Sequence, residues 1–121
     1  MLDCILVGVG GFIGTIFRYL IGLLPIGSAG EFPVKTLVIN ITGSFLISLI
    51  EAFALKSFRP DPHIAIMLRT GICGGFTTFS TFAFESSELI KSGHTTSAVI
   101  YIFASIILGL SAVWLAQSLV K

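Results

Sequence analysis

Charged residues fall in a few clusters along this chain, and the long stretches between them hold almost none. That spacing constrains the fold more than any single motif, because a helical crossing of a bilayer demands about 20 consecutive apolar residues. Four stretches qualify. The first runs from about Leu2 to Leu24, broken only by Arg18, and closes at Pro25 and the turn residues Gly27, Ser28 and Gly30. The second runs from about Val34 to Leu55, between Pro33 and the polar run Lys56, Ser57, Arg59, Pro60, Asp61, Pro62, His63. A third begins near Ile64 and reaches Leu89, and a fourth fills the uncharged run from Thr95 to Val120, ahead of Lys121. Only 11% of the 121 residues are charged, against 55% hydrophobic. Soluble domains carry about a quarter charged residues and need them to cover their surface. The expectation is an all-α membrane protein: a single four-span transmembrane domain over residues 1–121, with short loops. The fourth stretch offers no polar face at helical spacing, which disfavours a soluble bundle. The first lacks a basic leader and a small-residue cleavage site, so it reads as a retained span and not a signal peptide.

Seven Lys and Arg against six Asp and Glu leave a net charge of +1, without the basic face that a nucleic-acid partner requires. Cys4 and Cys73 lie far apart, with no metal-ligand spacing, and read as small apolar residues. With four crossings both termini share one side. Lys56, Arg59, Arg69 and Lys121 then lie on that side, against Arg18, Lys35 and Lys91 on the other. Four against three is almost no positive-inside bias, so two copies inserted in opposite senses would pair about a two-fold axis in the membrane plane. A single orientation fixed by another feature is the alternative. Four helices enclose little volume, so a solute path forms more readily between subunits than within one. Gly10 and Gly14, and again Gly71 and Gly75, have the small-xxx-small spacing that lets helix backbones approach.

The third stretch is the unusual one. Residues 70–84 read Thr-Gly-Ile-Cys-Gly-Gly-Phe-Thr-Thr-Phe-Ser-Thr-Phe-Ala-Phe, too rich in Gly and Thr for a continuous helix of ordinary propensity. A break is expected at Gly74, Gly75 to Thr78. Irregular backbone inside a membrane is tolerated only against protein or a water-lined cavity, and broken helices mark ion and substrate sites in many transporters. Carbonyls released at the C-terminal end of the first half-helix would welcome a small cation; a packing kink is the plainer reading. Beyond the break, Phe79 and Phe82 share a helical face while Ser80 and Thr81 look elsewhere. Ring edges carry positive potential and hold an anion without a fixed charge, although most membrane phenylalanines pack or face lipid. Asn40, Ser44 and Ser48 form one stripe on the second span, and Tyr101 and Ser105 are likewise four apart on the fourth. Interhelical hydrogen bonding explains the hydroxyls; the Asn40 amide must find partners for two donors and an acceptor. Arg18, Glu51, Glu85 and Glu88 lie near the expected span ends, where snorkelling or a water-filled vestibule accommodates charge.

Three runs together carry a family resemblance: Gly10-Gly11-Phe12-Ile13-Gly14 through Arg18-Tyr19, Asn40-Ile41-Thr42-Gly43, and Gly74-Gly75-Phe76-Thr77-Thr78-Phe79-Ser80-Thr81-Phe82. In order and over almost the whole chain, they resemble the small fluoride channels known as Fluc or CrcB. The resemblance implies an antiparallel dual-topology homodimer in the cell (inner) membrane, with two separate fluoride pores. It implies a central structural sodium ion held by the backbone carbonyls of Gly74 and Thr77 from each copy. Phe79 and Phe82 would furnish ring edges along each pore and Asn40 an amide donor. Ser80, Thr81, Tyr101 and Ser105 would form a polar track, and Arg18 would stand at the aqueous vestibule. Gly109 stands four residues beyond Ser105, where the family's track can continue, and the next hydroxyl is Ser111. No catalytic spacing appears, and no enzyme activity is expected.

Two rival functions fit four apolar spans. A small proton-coupled drug exporter needs a membrane-buried ionisable residue; the first span offers no carboxylate between Asp3 and Arg18, leaving Glu51. A purely structural membrane subunit would need no pore at all.

Overall fold

The computed structural model describes residues 1–26, 32–56 and 61–120. Gly27, Ser28, Gly30, Ser57, Arg59, Pro60 and Lys121, invoked above as loop or end residues, lie outside that set. The regular elements among the described residues are all helices, without strands: α1 (Leu2–Gly22), α2 (Val34–Leu55), α3 (Pro62–Ile66), α4 (Gly74–Phe76), α5 (Phe79–Lys91) and α6 (Thr95–Leu119), with a π-helical segment (Met67–Cys73) joining α3 to α4. Three of these, α1, α2 and α6, are each long and apolar enough to cross a membrane. They fall on the first, second and fourth expected stretches.

The third stretch is assembled from shorter pieces. α3 starts where its sequence dictates: Asp61 accepts a hydrogen bond from the His63 N–H at 2.8 Å and Pro62 occupies the first turn. Helical geometry then continues through α4 and stops for two residues, Thr77 (φ −84°, ψ 157°) and Thr78 (φ −149°, ψ 121°). The irregular stretch is therefore shorter than the sequence suggests, because Gly74 and Gly75 remain helical. The two non-helical residues are threonines, not glycines, and Thr78 serves as a β-conformation N-cap for α5. α5 ends in a Schellman motif, in which the Gly93 N–H reaches the Ile90 carbonyl and the His94 N–H reaches that of Leu89 (3.2 and 2.8 Å). Gly93, at φ +87°, is where that turn requires glycine.

Packing follows the small residues. α1 crosses the π-helical segment and α4 with backbones touching: a Cβ on Gly14 would stand 2.1 Å from the Ile72 carbonyl oxygen, and one on Gly75 would stand 2.6 Å from that of Gly11. Both small-xxx-small pairs thus meet each other inside one chain. α6 presents Ala98, Ala112 and Ala116 as buried residues, and it packs along α2 and α5. Outward, Phe12, Phe103 and Trp114 are each more than half exposed. So much exposed apolar surface belongs against lipid or protein, not water.

Candidate functional site

The break in the third rod is braced by a single side chain. Asn40, two turns into α2, accepts from the Thr78 N–H with Oδ1 (2.9 Å) and donates Nδ2–H to the Thr78 carbonyl (3.0 Å). One amide so replaces the two backbone partners that the missing helical turn removed. Gly43, the next glycine on α2, makes room for this approach: a Cβ there would lie 2.0 Å from Thr77 Cγ2. Thr77 keeps a helical bond to the Cys73 carbonyl (3.0 Å), and its hydroxyl donates to the same oxygen (2.9 Å). Thr78 N–H, engaged by Asn40, does not return to Gly74. The Gly74 carbonyl thereby loses its i+4 donor, and the Thr77 carbonyl lies just past a helix C-terminus. Arg18 approaches from α1, with Nε donating to the Gly75 carbonyl at 3.2 Å. That bond ties α1 to the helical turn just before the break.

Beside the break lies a groove of about 360 Å³ between α2, the third rod and α6. Asn40, Ser44, Cys73, Thr78 and Ser105 supply its polar and thiol atoms, and Phe79 and Phe82 its rings. No side chain lining it carries a formal charge at neutral pH. The two rings are neighbours, with centroids 5.8 Å apart and planes at 54°. Phe82 also meets Tyr101 edge-on at 5.1 Å. Ser44 is occupied, donating to the Asn40 carbonyl at 2.8 Å. Ser105 Oγ is buried without any hydrogen-bond partner, and it is the one such side-chain atom among the described residues. A buried hydroxyl left unsatisfied costs about 1–3 kcal/mol.

The residues singled out from sequence divide accordingly. Asn40, Thr77, Phe79, Phe82 and Ser105 converge on the groove. Ser80 and Thr81 do not line it: Thr81 N–H and Oγ1 both bond to Thr78 Oγ1 (3.2 and 3.1 Å), with Ser80 Oγ at 3.5 Å, a hydroxyl cluster that caps α5. Tyr101 is fully buried beyond Phe82, and its hydroxyl donates to Glu85 Oε1 at 3.0 Å. Ser48 is buried away from the groove, although it shares the Asn40 stripe. Glu51 forms an ion pair with Arg69 of the π-helical segment. Sequence reasoning missed Thr78 as the brace point. Its signal was present: a Thr ahead of a helical run is a preferred N-cap.

The chain matches the family model described as CrcB-like protein, Camphor Resistance (CrcB), over residues 5–117. It is 45% identical over 111 residues to a fluoride-specific ion channel FluC of Chlorobium chlorochromatii, covering 92% of this chain and 86% of that protein. A protein of the same name from Rhizobium meliloti is 41% identical over 118 residues, covering 97% of this chain and 94% of the relative. Another, from Chlorobaculum tepidum, is 40% identical over 121 residues, which is all of this chain and 96% of that one.

Proposed function

This chain belongs to the CrcB-like family, and on that footing we propose that it is a fluoride-selective channel, letting cytoplasmic fluoride leave passively through pores formed in an antiparallel homodimer. Membership makes it a multi-pass membrane transport protein and not an enzyme. The observation that carries the reading is the buried, unpartnered Ser105 hydroxyl in an uncharged groove that also holds Asn40 and the Phe79 and Phe82 rings. Fluoride is small and strongly hydrated, so its water must be replaced by several close donors. Ser105 O–H, the second Asn40 amide hydrogen and two ring edges are donors of that kind, and none binds with the strength of a full charge. Larger halides would fit such a set badly. Neutral HF enters cells from acidic surroundings and dissociates inside, so a passive anion path suffices for export.

In this reading Tyr101 continues the polar track past Phe82, Ser80 and Thr81 border it, and Arg18 stands at the vestibule. A second, inverted copy would cover Gly74, Phe79 and Ser80, which are exposed in a single chain, Phe79 at 76%. The Gly74 and Thr77 carbonyls, short of helical donors, fit a sodium ion. Such an ion would supply a fixed positive charge that ties the two interrupted rods together. The exporter reading is not favoured, because Glu51 already faces Arg69 instead of standing alone in the membrane. Efflux from liposomes tests the proposal. Fluoride release above that of empty vesicles, persisting when the proton gradient is collapsed and in Glu51→Gln, is expected. Release that requires a proton gradient and disappears in Glu51→Gln indicates an exporter, and no release indicates a structural subunit.

A further inference from the structure

The groove has a far end that the pore reading leaves unused. On α2 its lining steps from Asn40 through Ser44 to Ile47, and the next position on the same stripe is Glu51, about 6 Å further along. On the opposite wall Thr77 is followed by Cys73, and four residues earlier on that rod stands Arg69. These two residues, one turn beyond each wall, are the ones that form the ion pair. The pair lies past the end of the groove that is farther from Tyr101 and Glu85, one turn beyond its lining residues Ile47 and Cys73. It is not sealed in protein: the side chains are 43% and 41% exposed. Charges that exposed near the end of a membrane helix face water or a partner, since hydrocarbon would exact several kcal/mol for each.

Resting on the channel reading, we infer that Glu51 and Arg69 form a balanced anion mouth, in which Arg69 draws fluoride toward the groove and Glu51 limits how tightly it is held. The pair uses Arg69 Nη1 and one carboxylate oxygen, which leaves further guanidinium N–H donors for an incoming ion. Alone, an arginine in a narrow cleft concentrates anions and also retains them; beside a carboxylate it recruits with a smaller net field. The arrangement matches the requirement that an ion enter readily and still leave.

The test is fluoride efflux from liposomes at a low and a high fluoride concentration, for wild type, Glu51→Gln, Arg69→Gln and the double variant. Taking the ratio of the two fluxes cancels differences in the fraction of folded protein. Glu51→Gln should raise the low-to-high ratio, because the mouth becomes net positive and saturates earlier. Arg69→Gln should lower it by roughly tenfold, a cleft-focusing magnitude. The double variant should return toward wild type, and Arg69→Lys should remain near it. Unaltered ratios in both single variants, or a fall in both, would overturn the mouth while leaving the channel itself standing. Absence of fluoride flux in wild type would overturn the channel reading, and the mouth with it.

Discussion

Asn40→Ala is the most telling perturbation of the fold, because it removes the side chain that bonds both backbone polar groups of Thr78. Each buried backbone group left without a partner costs about 1–3 kcal/mol. Two are lost here, and the half-buried setting, with a groove alongside, places the sum near the lower end, at about 2–4 kcal/mol. For a chain of this size that corresponds to a fall in thermal midpoint of roughly 10 °C, measurable in detergent by following intrinsic tryptophan fluorescence from Trp114. Asn40→Asp separates the two bonds. Its carboxylate still accepts from the Thr78 N–H but faces the Thr78 carbonyl without a hydrogen, so its midpoint should fall between those of wild type and Asn40→Ala. It also adds a negative charge to the groove, and fluoride flux should be abolished even where the protein is folded. A thermal midpoint for Asn40→Ala within about 2 °C of wild type would refute the brace.

Phe79→Ile and Phe82→Ile should each lower fluoride flux strongly while the protein keeps its elution volume on sizing; unchanged flux in both removes ring edges from the mechanism. Ser105→Ala should leave the thermal midpoint equal or slightly higher, since its hydroxyl has no partner to lose, while fluoride flux falls. Gly14→Ala should destabilise by about 2 kcal/mol or more, because the added Cβ meets backbone, which cannot swing aside, and denaturation in detergent measures it. His63 lies outside the spans, and its hydrogen bond with Asp3 (2.6 Å) and the charge of Asp3 raise its pKa above 6.5. A raised folded-state pKa contributes stability that is complete below the unfolded value and lost as pH rises through the folded one. The difference in midpoint between wild type and Asp3→Asn should therefore be present near pH ~5.5 and fade above neutrality.

Much of the fold was legible because hydrocarbon imposes a length rule on sequence. Apolar runs bounded by Pro33, Lys35, Lys56 and Lys91 locate α1, α2 and α6 to within a few residues. Gly10, Gly14, Gly71 and Gly75 announced close backbone contact, though not that the two pairs meet each other within one chain. The sequence expectation of irregular backbone from Gly74 and Gly75 to Thr78 differs from the structure, where the non-helical residues are Thr77 and Thr78. Whether Gly75 stays helical depends on α1 lying against it and on Asn40 reaching Thr78, both tertiary facts. Spacing put Phe79 with Phe82 on one helical face and Asn40 with Ser44 on another, because helix periodicity fixes faces; that these residues and Ser105 line one groove follows from how α2, α5 and α6 pack. Ser80 and Thr81 share the motif, but their hydroxyls lie beside that of Thr78, which accepts from the Thr81 N–H and donates to the Thr81 hydroxyl as it caps α5. The π-helical turn carrying Arg69 has no sequence rule behind it, so its pairing with Glu51 was out of reach until the rods were packed.

Fluoride and chloride efflux from the same liposomes, loaded with both salts and opened to a potassium ionophore, tests the central claim most directly. Fluoride should leave rapidly, as followed by a fluoride electrode, while chloride stays at the level of protein-free vesicles. Equal release of the two anions, or release of neither, would contradict a narrow uncharged groove that replaces the water of one small ion.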